Sequence, residues 1–238
     1  MALPKINNAP KFEMTIPSLN KKVRYRPFLV KEEKTLLIAL ETGDPQSSLN
    51  AVFDTINSCC EEDFKPDDLT AYDVEYMFLQ LRAKSVGETS KLKTECTKCG
   101  ASNEVGIDLT KVEVNGTSEQ KDTKIKINDE ITVRMKWPSY GQLMRSEVNL
   151  DNLTKIDSIF KLILTCIDAV LTEEEQFKMA DVPESEAMEF LESLNTEQFN
   201  KIREYVEGIP QVKYNIHFNC SECGEVNDTT VTGLTNFF

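Results

Sequence analysis

Two turns of the same form, Cys96-Thr97-Lys98-Cys99-Gly100 and Cys220-Ser221-Glu222-Cys223-Gly224, constrain this chain more than any other feature. A Cys-x-x-Cys-Gly turn projects two sulfurs to one side of a tight loop, and its glycine supplies the positive φ the turn needs. One such turn makes half of a tetrahedral thiolate site. Two make a closed site, and a closed four-thiolate site is structural rather than catalytic. The pattern therefore predicts one structural zinc ion on Cys96, Cys99, Cys220 and Cys223, with backbone amides of the turns supporting the thiolates. Residues 100–219 lie between the pairs, where an ordinary zinc ribbon has about 15–20 residues. Each turn sits between two strand-like segments, whereas a thioredoxin-type dithiol opens a helix. The redox reading is set aside on that ground.

A repeat explains the long gap. Lys22-Val23-Arg24-Tyr25-Arg26-Pro27-Phe28 and Ile131-Thr132-Val133-Arg134-Met135-Lys136-Trp137-Pro138 both alternate apolar and polar residues and then meet proline, as edge strands do. A helical stretch follows each: Val30–Glu41, with Leu36, Leu37 and Leu40 on one face, and the weaker run Ser139–Val148. Apolar helices follow in turn, Ala51–Cys60 and Ser158–Ile167, with residues at helical spacing. Then come acidic stretches and further helices, Asp67–Ser85 with a stripe of Val74, Met77, Phe78 and Leu81, and Ser185–Glu207, split near Asn195-Thr196. Each half closes on a strand, a Cys-x-x-Cys-Gly turn and a second strand, Asn103–Leu109 or Glu225–Leu234. The expected fold is α+β: an internally duplicated strand–helices–hairpin unit whose halves, 21–115 and 125–238, are joined by a four-cysteine, zinc-ribbon-like site. An extended N-terminal arm, 1–20, carries Pro4, Pro10 and Pro17 and is expected to lie free for a partner.

Composition narrows the function. The formal net charge is −13, from 27 basic and 40 acidic residues, which repels phosphate backbones and anionic membranes. No window is long and apolar enough to span a bilayer, and the polar Met1–Lys11 segment lacks the apolar stretch of a signal peptide. A cytoplasmic chain is the expectation, with no disulfides. Cys59, Cys60 and Cys166 lie in apolar helical surroundings, where a free thiol behaves as a small hydrophobe. His217 is the only histidine, and the four cysteines leave it no place in the metal shell. There is no phosphate-binding glycine loop, no nucleophile elbow and no His-Glu-x-x-His pattern. The chain is expected not to be an enzyme. The acidic runs suit helix starts.

Beyond these patterns, Ala2-Leu3-Pro4-Lys5-Ile6, Thr15-Ile16-Pro17-Ser18 and above all Arg26-Pro27-Phe28-Leu29-Val30-Lys31-Glu32-Glu33-Lys34 resemble the opening of the baseplate hub proteins of T-even-type contractile-tailed phages. That resemblance implies a hub assembly role, as chaperone or hub subunit, through binding to other baseplate hub proteins. It also implies assembly in the host cytoplasm, with the virion tail baseplate as the other location. It carries over no catalytic residue. The N-terminal arm and the terminal Phe237-Phe238 are the candidate docking elements. The alternative is a nucleic-acid-binding zinc-ribbon regulatory protein, which needs a basic surface at the knuckles. There Lys91, Lys93 and Lys98 are outnumbered by Glu95, Glu104, Glu222, Glu225 and Asp228.

Overall fold

The computed structural model describes residues 9–116, 123–146 and 156–232. The terminal Phe237-Phe238, the end of the expected helical run Ser139–Val148 and the first residues of the arm lie outside them. The described chain is mixed α+β and forms two compact units that interleave along the sequence. The first comprises Met1–Phe64, Asp73–Val114 and Val212–Phe238, and the second Lys65–Tyr72 and Asn115–Gln211.

The first unit opens with an antiparallel hairpin, β1 (Phe12–Ile16) and β2 (Lys21–Tyr25), in which Met14 pairs with Val23. Alternation puts Met14, Ile16, Val23 and Tyr25 on the buried face. Part of the segment expected to be a free arm is thus a paired strand, because its alternate residues are apolar enough to bury. Helix α1 (Val30–Thr42) ends at Gly43 in the left-handed conformation, and α2 (Pro45–Cys59) starts directly after it. Asp44 caps α2 by accepting from the amides of Gln46 and Ser47, with Pro45 at the first helical position. The expected apolar face of α1 is corrected: Leu36 is buried, but Leu37 is 55% exposed and Leu40 39%. The helix instead buries the face of Glu32, Leu36 and Ala39.

Helix α3 (Ala71–Ser85) begins after a 3-10 turn at Pro66–Asp68, four residues later than the pattern suggested. Its Val74, Met77, Phe78 and Leu81 are all at most 1% exposed, so this stripe is core. Buried Asp73 accepts from the amide and hydroxyl of Ser18, tying α3 to the β1–β2 turn. Two hairpins complete the unit. β3 (Thr89–Glu95) pairs with β4 (Ser102–Asp108), while β5 (Glu113–Asn115), β10 (Gln211–Asn219) and β11 (Val226–Thr232) form a sheet ordered β11-β10-β5. Ile107, Leu109, Val212 and Ile216 are buried here, and Tyr214 Oη accepts from the Asp108 amide at 3.1 Å.

The second unit holds an antiparallel sheet of β6 (Thr123–Lys126), β7 (Thr132–Met135), β8 (Ile167–Leu171) and β9 (Gln176–Lys178). Its helices are α4 (Tyr140–Arg145), α5 (Ile156–Cys166), α6 (Glu184–Glu192) and α7 (Thr196–Glu207). Asn195 caps α7 by accepting from the Gln198 amide, at the split expected from sequence. The core gathers Val133, Met135, Ile163, Cys166, Ile167, Val170, Leu191 and Ile202. The Phe160 and Phe199 rings stack against it, their centroids 5.2 Å apart. The apolar run expected to stay helical through Ile167 leaves the helix at Cys166 and continues as β8, since Ile167-Asp168-Ala169-Val170-Leu171 completes the sheet beside β7. Among the described residues no helix is long and apolar enough to cross a membrane.

Candidate metal centre

The tips of hairpins β3–β4 and β10–β11 are the two Cys-x-x-Cys-Gly turns, and both belong to the first unit. Each turn folds the same way. The Cys96 amide donates to Ala101 O at 2.9 Å and the Gly100 amide to Cys96 O at 2.9 Å. In the second turn the Cys220 amide donates to Glu225 O at 2.8 Å and the Gly224 amide to Cys220 O at 3.0 Å. Gly100 and Gly224 both sit at φ +71°, with open space where a Cβ would stand. Glycine is needed for the backbone conformation, not for clearance.

Cys96, Cys99, Cys220 and Cys223 converge, with all four sulfurs within 4.8 Å of one another. Two approaches run between the turns, Cys96 to Cys223 at 3.7 Å and Cys99 to Cys220 at 3.6 Å. A regular tetrahedron of sulfurs about 2.3 Å from a central zinc has edges of about 3.8 Å. The two between-turn distances match such edges, so the four sulfurs lie close enough together to hold one metal ion. Cys96 and Cys220 are buried; Cys99 and Cys223 are exposed.

The turns favour thiolate. Amides of Cys99 and Lys98 donate to Cys96 and, with the Asn227 side chain, pull its thiol down to about 6 against desolvation. Amides of Cys223 and Glu222 lower the Cys220 thiol in the same way, with help from Asn103. The Ala101 amide favours the Cys99 thiolate, but the neighbouring sulfurs outweigh it, Cys223 first, and push that thiol up to about 12. Four thiols this close cannot all ionise without a cation among them. The other three cysteines stand apart from the cluster, and burial raises each of them, Cys59 to about 11 and Cys60 and Cys166 to about 12. Thiols raised in this way are poorly reactive; Cys59 and Cys166 are buried and Cys60 is half-buried. His217 is exposed on β10, paired across the strands with Asp228, and lies outside the sulfur cluster.

Sequence reasoning passed over two polar residues at this site. Asn103 and Asn227 are buried, 6% and 1% exposed, and each reaches into the opposite turn. The available signal was their common offset, seven residues after the first cysteine of each turn. Of the three lysines at the knuckles, Lys91 pairs with Glu104 and Lys98 with Glu225, both at 2.6 Å.

Residues 9–238 match the family described as T4 bacteriophage base plate protein. The chain belongs to that family. It is also similar to the baseplate hub assembly protein gp26 of Enterobacteria phage T4, with 21% identity over 228 residues, covering 96% of this chain and 97% of that protein. No solved structure matches the chain.

Proposed function

We propose that this protein is a baseplate hub assembly factor of a contractile-tailed phage, acting by protein–protein binding, with one structural zinc ion on Cys96, Cys99, Cys220 and Cys223. The observation that carries the assembly role is the end-to-end correspondence with the T4 hub assembly protein, 96% of one chain against 97% of the other. The role needs binding surface rather than a catalytic group. The partners are other baseplate hub proteins, the site of action is the host cytoplasm during assembly, and the finished tail baseplate is the destination of the complex. Co-expression with the phage's hub proteins and pull-down should recover a stable complex; its consistent absence counts against the role. Mass spectrometry of purified particles separates a hub subunit, present at stoichiometric level, from a chaperone that leaves.

Sulfur spacing and amide-supported thiolates support zinc. Metal analysis should find about one zinc per chain, and Cys223→Ser should abolish tight binding. If zinc is held at about a thousand times its Kd, its loss removes about 4 kcal/mol, or roughly 10 °C in melting temperature. The ion pairing of Lys91 and Lys98 speaks against a nucleic-acid interface at the knuckles.

The internal duplication belongs to the same reading. In the first unit the Arg26 amide donates to Cys59 O at 3.0 Å and Tyr25 bridges Cys60, where α2 ends. In the second the Lys136 amide donates to Cys166 O at 2.7 Å and Met135 pairs with Ile167, where α5 ends. Hairpin, two helices and a return to the hairpin's second strand occur twice in the same order, which favours a duplicated unit over chance likeness of helical segments.

A further inference from the structure

The two knuckles share more than their cysteines. Cys96-Thr97-Lys98-Cys99-Gly100-Ala101-Ser102-Asn103 and Cys220-Ser221-Glu222-Cys223-Gly224-Glu225-Val226-Asn227 both read Cys, a hydroxyl residue, any residue, Cys, Gly, two residues, Asn. Each asparagine uses its whole amide, and the two do so reciprocally. Asn227 Oδ1 accepts from the Thr97 amide at 2.9 Å and the Thr97 hydroxyl at 2.8 Å. Asn103 Oδ1 accepts from the Ser221 amide at 2.9 Å and the Ser221 hydroxyl at 3.0 Å. Asn227 Nδ2 donates to Glu225 O in its own turn and to Cys96 Sγ in the other, at 2.9 and 3.5 Å. Asn103 Nδ2 donates to Ala101 O and to Cys220 Sγ, at 2.8 and 3.7 Å.

We propose that Asn103 and Asn227 form a crossed clasp of positioning residues, each orienting the buried cysteine of the opposite knuckle as a metal ligand and registering the two hairpins against each other. The proposal rests on the zinc reading. A divalent ion with four thiolates leaves a net charge of about −2 in a partly buried place, which is costly unless donors surround the sulfurs. Backbone amides of each turn serve that turn's own sulfurs; the asparagines are the side-chain donors that cross. A carboxamide suits the task because one end accepts from the facing turn while the other donates to sulfur. Aspartate in the same place keeps the accepting end and loses the donor.

The experiment uses the full chain as wild type and as Asn103→Ala, Asn227→Ala, Asn103→Asp and Asn227→Asp. Cobalt binding is followed by the sulfur-to-cobalt charge-transfer absorption, and zinc affinity by chelator competition. Each alanine variant should lose about 10–100-fold in zinc affinity. Each aspartate variant should lose at least as much, although its contact with Thr97 or Ser221 survives. Brief alkylation of zinc-loaded protein, mapped by peptide mass, should show preferential labelling of Cys96 in the Asn227 variants and of Cys220 in the Asn103 variants. A protein that merely fails to fold labels all four sites together, and that result overturns the proposal, as do aspartate variants with wild-type affinity or labelling within the same knuckle. Wild type that takes up neither cobalt nor zinc overturns the metal centre and the clasp together; wild type that binds while all variants bind equally overturns the clasp alone.

Discussion

Glu32 shows how one side chain can join three parts of the first unit. It is 6% exposed at the start of α1, where its carboxylate accepts from the Leu29 amide at 2.8 Å and from Arg26 Nη2 at 2.9 Å. The same guanidinium donates to Ser58 O near the end of α2 at 2.8 Å. Burial alone would raise the Glu32 carboxyl, but Arg26, the Leu29 amide and Lys31 together hold it below its ordinary range. A carboxyl lowered on folding adds stability above its unfolded value and loses it as pH falls through the folded value. Glu32→Gln should therefore cost about 2 kcal/mol near pH 7, and the difference from wild type should shrink below about pH 4. Urea melts of both proteins at several pH values measure this; a constant difference across that range would show that the ion pair is not its source.

At the scale of elements, α1 tests how burial assigns a helix face. Leu36 is 6% exposed while its neighbour Ile38 is 52% exposed. Leu36→Ala should cost about 2–4 kcal/mol through lost packing, and Ile38→Ser should stay within about 0.5 kcal/mol. Equal costs in denaturant unfolding would mean the helix is rotated from the face described. From sequence, Leu36, Leu37 and Leu40 read as one stripe, because spacing shows that apolar residues cluster without showing which of them faces the core. The α3 stripe was legible because its four large residues all fall on one side. The strand β8 was not, since Ile167–Leu171 continues an apolar helical run without a break, and only its pairing with β7 distinguishes the two. At the candidate site, cysteine spacing and glycine turns are local and were readable. The role of Asn103 and Asn227 is not local: each matters through a turn more than a hundred positions away, and an asparagine near the start of a strand otherwise reads as an ordinary strand residue.

For the whole molecule, the consequence lies in how the chain closes the first unit. Residues 73–114 and 212–238 belong to one compact unit although the long segment between them, 115–211, belongs to the other. Bringing the two hairpin tips together costs closure entropy, which grows only slowly with the length closed. The crossed asparagine bonds and a shared ion can help offset it, beside the buried Ile107, Leu109, Val212 and Ile216 and the Asp108–Tyr214 hydrogen bond. If zinc supplies that link, its removal should loosen both hairpins at once, because neither turn holds a complete ligand set or a complete clasp by itself. Hydrogen exchange on the full chain, with and without a chelator, checks this. Amides of Cys96, Thr97 and Gly100 should lose protection together with those of Cys220, Ser221 and Gly224, all of which are hydrogen-bonded at the tips. The sheet β6–β9, which contains none of the four cysteines, provides the internal comparison. Deprotection of one tip alone would mean that each hairpin is stabilised by its own strands, and that the approach of the four sulfurs does not depend on a shared ion.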